Sequence, residues 1–273
     1  MGTVVSLAIR EAGATTAEAT SETSGEAASS ETAGEAETAA TAAAAQRAIA
    51  LLHHVDQVFS TWQPDSPVSR LRRGEIALDD APPEVAQVLE LCRRAREASG
   101  GWFDPWAMPG GVDPTGLVKG WAAELALAEV RASGAAGGMI NAGGDVAVFG
   151  EPEEGQPWRV GIRHPLAADR LLTVVTLGGH DRAVATSGNY ERGLHVFDPT
   201  SGEAAQELLA ATVVGPDLAF VDALATGLLA SGGKALARVA GQRGYSALIV
   251  EGDGTVRTTL GFPAGDPAFD RVA

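Results

Sequence analysis

The sequence predicts an α+β fold, with mixed sheets and packed helices, and three observations carry that prediction. Segments whose apolar residues recur every three or four positions are interspersed with segments of period two. Their order is irregular, without the strand–helix alternation of a doubly wound sheet. The 273 residues, 45% of them hydrophobic and 20% charged, suffice for a large core, as one big domain or as two intimate lobes.

In chain order, residues 3–10 alternate as a short strand. Residues 11–45 then hold almost only Ala, Glu, Thr, Ser and Gly, with seven Glu and no Lys or Arg. Such a segment has too little apolar surface to offset its ordering entropy, so a low-complexity, disordered insertion is expected, with a few Ala-rich helical turns near its end. From Ala45 a helix is predicted, because Ile49, Leu52, Val55 and Phe59 recur at helical spacing. It runs into a turn-rich loop at residues 60–66. Residues 79–98 read as a second helix with Pro82 and Pro83 near its start, where a missing N–H costs little, and Gly100 and Gly101 after its end.

An irregular Gly- and Pro-dense stretch, 102–116, precedes a helix over 117–132. Residues 139–149 read as strand, glycine turn and strand. Further strands are predicted at 158–162, 171–177, 183–188, 193–197 and 211–214, then helices at 217–230 and 234–243, and last strands at 246–250 and 256–259. No internal repeat is visible, and residues 1–273 read as a single domain.

The formal net charge of −15 excludes a non-specific nucleic-acid binder, which needs a basic stripe to displace counterions. It suits a protein that recruits cations, or that meets an anionic ligand with metal help. A lone cysteine, Cys92, rules out an intrachain disulfide and sits in an amphipathic pattern, where buried helix filler is favoured over a reactive thiol. There is no basic n-region, no lipoprotein cysteine and no apolar run of membrane length, so a cytoplasmic protein without membrane insertion is expected.

Four constellations bear on chemistry. Asp222 and Thr226 stand four apart on a helix, so a carboxylate and a hydroxyl share one face and suit a hard cation. By spacing alone, an ordinary helix-start acid opposing the dipole is the favoured alternative. In Asp113-Pro-Thr-Gly116-Leu-Val-Lys119, a Gly-bearing turn opens a helix whose free N–H groups, with Lys119, suit an anion; a plain helix entry with a surface lysine competes. In the segment from Thr186 to Gly202, His195 and Asp198 are either a base near a carboxylate or a strand residue and a turn cap. Asn141-Ala-Gly-Gly-Asp145 is a close-approach loop or simply a hairpin.

Taken together and in order, these segments resemble the FAD:protein FMN transferase family, the ApbE-like flavin transferases. The matching pieces are Met1-Gly-Thr3, Phe59 to Ser66 with Ser69-Arg-Leu71, Gly101-Trp-Phe-Asp104-Pro, Asp113 to Trp121, Asn141 to Asp145, Thr186-Ser-Gly188 with Tyr190, His195-Val-Phe-Asp198-Pro, and Val214-Gly-Pro-Asp217 with Asp222 to Thr226. The resemblance implies an ApbE-like fold with an FAD cleft between two lobes. It implies Mg²⁺-dependent transfer of FMN from FAD to a Thr or Ser hydroxyl of an acceptor protein, with AMP leaving.

By the same resemblance, Asp222, Thr226 and Gly116 match metal-binding positions, Gly116 through its backbone carbonyl. Met1, Trp62, Trp102, Phe103, Asp104, Asp113, Lys119 and Phe197 match FAD contacts, and His195 matches the base for the acceptor hydroxyl. Hydrolysis of FAD to FMN and AMP, and non-catalytic flavin binding, are the alternatives.

Overall fold

The computed structural model describes residues 4–11, 27–179, 182–189 and 196–265. A seven-stranded sheet runs in the order β1 (Val5–Arg10), β2 (Gly137–Ala142), β3 (Asp145–Gly150), β6 (Ala183–Gly188), β7 (Leu208–Gly215), β8 (Ser246–Glu251) and β9 (Val256–Thr258). Between β3 and β6 the chain leaves this sheet to form β4 (Trp158–His164) and β5 (Ala167–Leu177), which pair with β10 (Ala264–Gly265) in a three-stranded sheet. Every ladder is antiparallel.

The period of two in the strands sorts their side chains between two cores. On β3, Ala147 and Phe149 pack with the helices, while Val146 and Val148 pack with Trp158, Ile162, Val175 and Leu177 of the small sheet. β6 and β7 divide likewise: Ala183, Ala185, Ala211 and Val213 face the helices, and Val184 and Val214 face the small sheet. The central strands are thus buried on both faces, which is why they read as nearly unbroken apolar runs.

Among the described residues the helices are α1 (Ala27–Phe59), α2 (Pro67–Arg72), α3 (Pro83–Ser99), α4 (Thr115–Ala132), α5 (Leu218–Ala230) and α6 (Leu236–Ala240). α4 and α5 pack on each other and on the sheet, α1 covers α4, and α3 covers α5. A second core joins the end of α1, α2, α3 and the first half of α4 through Phe59, Val68, Val88, Phe103 and Leu117. Among the described residues no helix is long and apolar enough to cross a membrane.

β5 starts at Ala167 and β7 at Leu208, earlier than expected, the helix expected over 234–243 is only Leu236–Ala240, and β10 was not expected; three further differences bear on the packing. Helix α1 starts at Ala27 rather than Ala45, so the part of the insertion over 27–45 is helical and not disordered. Alanine is the strongest helix former, and this helix has a neighbour: Thr41, Ala44 and Ala48 are buried, and Arg47 Nε meets Glu129 Oε2 of α4 at 2.8 Å. Residues 12–26 lie outside the described residues. The helix expected over 79–98 divides into a short 3₁₀ turn, Leu78–Asp80, and α3, because Pro82 and Pro83 lack the N–H groups that would join them. Helix α2 was not anticipated; six residues are too few for periodicity, and Ser66 caps it by accepting from Ser69 N at 3.0 Å.

The α4–α5 contact depends on Gly120, where an added Cβ would come within 2.5 Å of the Leu218 carbonyl oxygen. Backbone cannot yield as a side-chain tip can. Gly120→Val is therefore expected to lower unfolding free energy in urea by about 2–3 kcal/mol. An unchanged midpoint would mean that these helices part without cost.

Candidate active site

The cleft opens where the first turn of α4, the end of β6 and the middle of α5 meet. Three loops form its rim. At the end of α1, the Ser66 and Ser69 hydroxyls donate to the Ser60 carbonyl at 2.7 and 3.2 Å, which fixes the turn carrying Trp62. After α3, Gly100 takes the left-handed conformation with φ 73° and ends the helix, and the Ser99 hydroxyl accepts from Phe103 N at 3.0 Å. The third rim segment carries Phe197 and Pro199. The cleft is open at its mouth, with about 1380 Å³ of empty space when the adjoining solvent is included.

Ten of the twelve residues singled out in the sequence line this one cleft: Trp62, Trp102, Phe103, Asp104, Asp113, Gly116, Lys119, Phe197, Asp222 and Thr226. The other two, Met1 and His195, lie outside the described residues, as do Tyr190 and most of the strand expected at 193–197. Asp198 lies beside the cleft and serves its turn: its carboxylate accepts from Thr200 N and Oγ1 at 2.7 and 2.6 Å, and the Thr200 hydroxyl holds it below the usual carboxylate range.

The rim residues differ in how much of their chemistry is free. Trp62 is 89% exposed, an indole face waiting for a flat partner. Trp102 is half-buried, with Lys234 Nζ 5.7 Å from its ring centroid. Asp104 receives Arg96 Nε at 2.6 Å and Trp106 N at 3.0 Å. Asp113 pairs with Arg72 Nη1 at 2.9 Å and accepts from Thr115 N and Oγ1 at 3.0 and 2.6 Å, holding the first turn of α4. These two carboxylates therefore shape the rim as well as line it.

The floor is electrostatically unbalanced. Asp145 and Asp222 are almost wholly buried, at 1% and 3% exposure. Lys119 Nζ rests against Asp145 Oδ2 and lies 3.8 Å from Asp222 Oδ1. Asp222 Oδ2 is buried without a hydrogen-bond partner. Burial raises both carboxyls above their ordinary range; Lys119 opposes this, and for Asp222 the Asp145 charge adds to it. Two carboxylates facing one ammonium lack one positive charge, or one proton.

Oxygen donors surround this deficit. Thr226 Oγ1 is 3.2 Å from Ser187 Oγ, and Thr186 Oγ1 is 2.9 Å from Thr212 Oγ1. A Cβ added to Gly116 would stand 3.7 Å from Thr226 Oγ1, so the Gly116 turn and the Thr226 hydroxyl are neighbours. Among the described residues no group of three or more His, Cys, Asp and Glu could hold a metal. A donor set of few carboxylates plus hydroxyl, carbonyl and ligand oxygens suits Mg²⁺ rather than a softer ion.

Asp145 is the residue whose role the sequence did not reveal. Its hairpin was legible: Gly143 and Gly144, at φ 63° and 96°, turn between Ala142 and Asp145. One signal pointed further, since Asp145 opens a strand that is otherwise Val-Ala-Val-Phe-Gly, an odd place for an acid.

Helix α5 is set by a polar cluster behind the floor. Asp217 caps it by accepting from Phe220 N at 2.9 Å and is held by Tyr245 OH at 2.7 Å, while Leu218 N donates to Glu124 Oε1 at 2.5 Å. Asp222 thus lies beyond the first turn, where Asp217 already serves the helix dipole. Burial pushes the Glu124 carboxyl up to about 7 from an ordinary 4.5, although the Leu218 amide opposes the shift. As pH rises past 4.5 the unfolded chain releases this proton first, so the folded state loses stability until about pH 7, by about 3 kcal/mol. Urea unfolding at pH 5 and pH 8 should show that loss, and Glu124→Gln should remove most of it. Equal pH slopes in the two proteins would exclude Glu124 as the cause.

Fold and site define an α+β protein with an open cleft whose acidic floor is suited to a cation and, through it, to an anionic ligand. The chain belongs to the ApbE family, whose model matches residues 1–110 and 107–249. It is 34% identical over 157 residues to an FAD:protein FMN transferase of Rhodobacter capsulatus, covering 54% of this chain and 29% of that protein. It is 31% identical over 130 residues to an FAD:protein FMN transferase of Vibrio cholerae, covering 44% and 39%. The chain thus spans less than half the length of these two relatives.

Among solved structures, it superimposes on the ApbE protein of Thermotoga maritima with a TM-score of 0.71 at 22% identity, over 81% of this chain and 90% of that one. The flavin transferase ApbE of Vibrio cholerae gives 0.70 at 20% identity, over 81% and 89%. These likenesses establish the α+β fold.

Proposed function

We propose that the protein is a Mg²⁺-dependent FAD:protein FMN transferase that moves FMN from FAD to a Thr or Ser hydroxyl of an acceptor protein. The reading rests chiefly on one observation: two buried carboxylates, Asp145 and Asp222, share a single ammonium at the floor of a cleft lined by aromatic side chains. Relatives called FAD:protein FMN transferases support the same reading.

Asp222 and Thr226, with the Gly116 carbonyl, would hold the Mg²⁺, which supplies positive charge to the pyrophosphate when bound. Lys119, anchored by Asp145, presents a second positive charge near the α4 entry, where the positive end of the helix dipole also favours a phosphate. Trp62 and Trp102 offer flat faces to FAD rings, and Phe103 and Phe197 add apolar wall, which excludes water from the pyrophosphate. The acceptor oxygen attacks the FMN phosphorus, the bond to the AMP phosphate oxygen breaks, and AMP departs. His195 is assigned the acceptor's proton by family resemblance.

The test is mass spectrometry of an acceptor protein incubated with the enzyme, FAD and Mg²⁺. Expected is a covalent FMN on Thr or Ser and one AMP released per FMN attached, both abolished by EDTA. AMP produced at full rate without acceptor would instead support an FAD pyrophosphatase. Tight flavin binding with no AMP under either condition would support a non-catalytic flavoprotein.

A further inference from the structure

We propose that a second cavity, at the far end of the large sheet from the cleft, binds a phosphomonoester between Arg10, Arg131 and Arg182. The cavity is lined by these three arginines together with Phe149, Glu151 and Leu177. It is distinct from the cleft. Lys119 lies in the first turns of α4 and Arg131 in its last, twelve residues on, so about 18 Å of helix separates them. The strands agree: Gly143 of the cleft sits at one end of the β2–β3 hairpin, and the Arg10–Gly137–Gly150 row of cross-strand partners sits at the other.

Three features point to an anion. First, Arg10 Nε is buried without a hydrogen-bond partner. A guanidinium nitrogen in that state costs stability unless an acceptor meets it. Second, among the described residues none of the three guanidinium groups is within ion-pair distance of a carboxylate, in a chain whose net charge is −15. Arg131 instead lies over the Phe149 ring, 6.0 Å from its centroid, a stacking that leaves the N–H edge of the fork available. Third, the charge balance selects a dianion. Among the described residues Glu151 is the one carboxylate lining the cavity, and its Oε2 already accepts from Gly155 N at 2.7 Å. Among the described lining residues, three guanidiniums less one carboxylate leave two positive charges, which a phosphomonoester dianion neutralises and a single carboxylate does not. The walls formed by Phe149, Pro157 and Leu177 give the esterified body of such a ligand an apolar surface.

The site is tested by calorimetric titration of the full chain with inorganic phosphate, phenyl phosphate, acetate and chloride at equal ionic strength. Saturable binding of both phosphates is expected, about tenfold or more tighter than acetate. Tighter binding of phenyl phosphate than of inorganic phosphate identifies an ester, and the reverse identifies free phosphate and overturns the ester assignment. Arg10→Gln, Arg131→Gln and Arg182→Gln should each weaken the phosphate by about tenfold, with FAD affinity unchanged. Arg131 and Arg182 are exposed, so their variants keep the fold and decide the matter if Arg10→Gln does not fold. The proposal fails if the unaltered protein takes up no phosphate saturably, if the arginine variants bind it as before, or if FAD and phosphate affinity fall together, which would assign the phosphate to the cleft.

Discussion

Asp222→Ala is expected to abolish Mg²⁺-dependent FMN transfer, by about a thousandfold or more, without weakening the fold. The catalytic loss follows from the Asp222 position. Its buried carboxyl has no hydrogen-bond partner at Oδ2, and a hard cation would supply what that oxygen lacks. Loss of a metal that stabilises charge on a phosphoryl group removes several kcal/mol from the transition state, and about 4 kcal/mol corresponds to a thousandfold.

Stability should move the other way. Without metal, Asp222 and Asp145 compete for Lys119, and removing one of two buried like charges relieves that conflict. Asp222→Asn, which keeps the shape, should melt at the same temperature as the unaltered protein or higher, and Mg²⁺ should no longer raise that temperature. Full transfer activity in Asp222→Ala would remove Asp222 from the proposed metal site.

Lys119→Met is expected to have the largest effect on stability, about 3 kcal/mol or more at pH 8. The lysine is the cation that Asp145 rests against, and Asp145 is 1% exposed. Methionine keeps much of the apolar stem and removes the charge, so two buried carboxylates remain with no ammonium. The sign of the pH dependence follows. Both carboxyls are already raised by burial, and loss of the lysine raises them further. The folded variant then holds protons that unfolded aspartates, at about 3.9, have released, so its stability falls as pH climbs above about 4. The gap between variant and unaltered protein in urea unfolding should therefore widen as pH rises past the raised range of the unaltered carboxyls, between about pH 5 and pH 9. A gap independent of pH would mean that packing of the lysine stem, not its charge, is what the floor requires.

Much of the architecture was legible from residue pattern. The strands at 139–149, 183–188 and 246–250 and the helices at 117–132 and 217–230 lie within a few residues of their predicted ends, because long periodic segments declare their partner surface. The misjudged segment was 27–45. Its composition resembles that of a disordered tract, yet Ala44 and Ala48 find a packed surface on which small side chains suffice. Likewise α2 is too short to show a period, and its start is declared only by Ser66 and Pro67.

For the site, the sequence by itself determined the chemical types and the local geometry: Asp222 and Thr226 on one helix face, Gly116 and Lys119 at a helix entry, and Gly143-Gly144 as a hairpin turn. These are short-range facts, set by periods of 3.6 and two and by backbone freedom at glycine. Only the tertiary structure decided that α4, α5 and the β2–β3 hairpin converge, so that Lys119, Asp145 and Asp222, more than a hundred residues apart at their extremes, share one dry floor. The physical reason is that burial creates the charge deficit. In a solvated chain each of these groups would be an ordinary ion, and only exclusion of water by the packed helices and sheet turns two aspartates and one lysine into a site that lacks a cation.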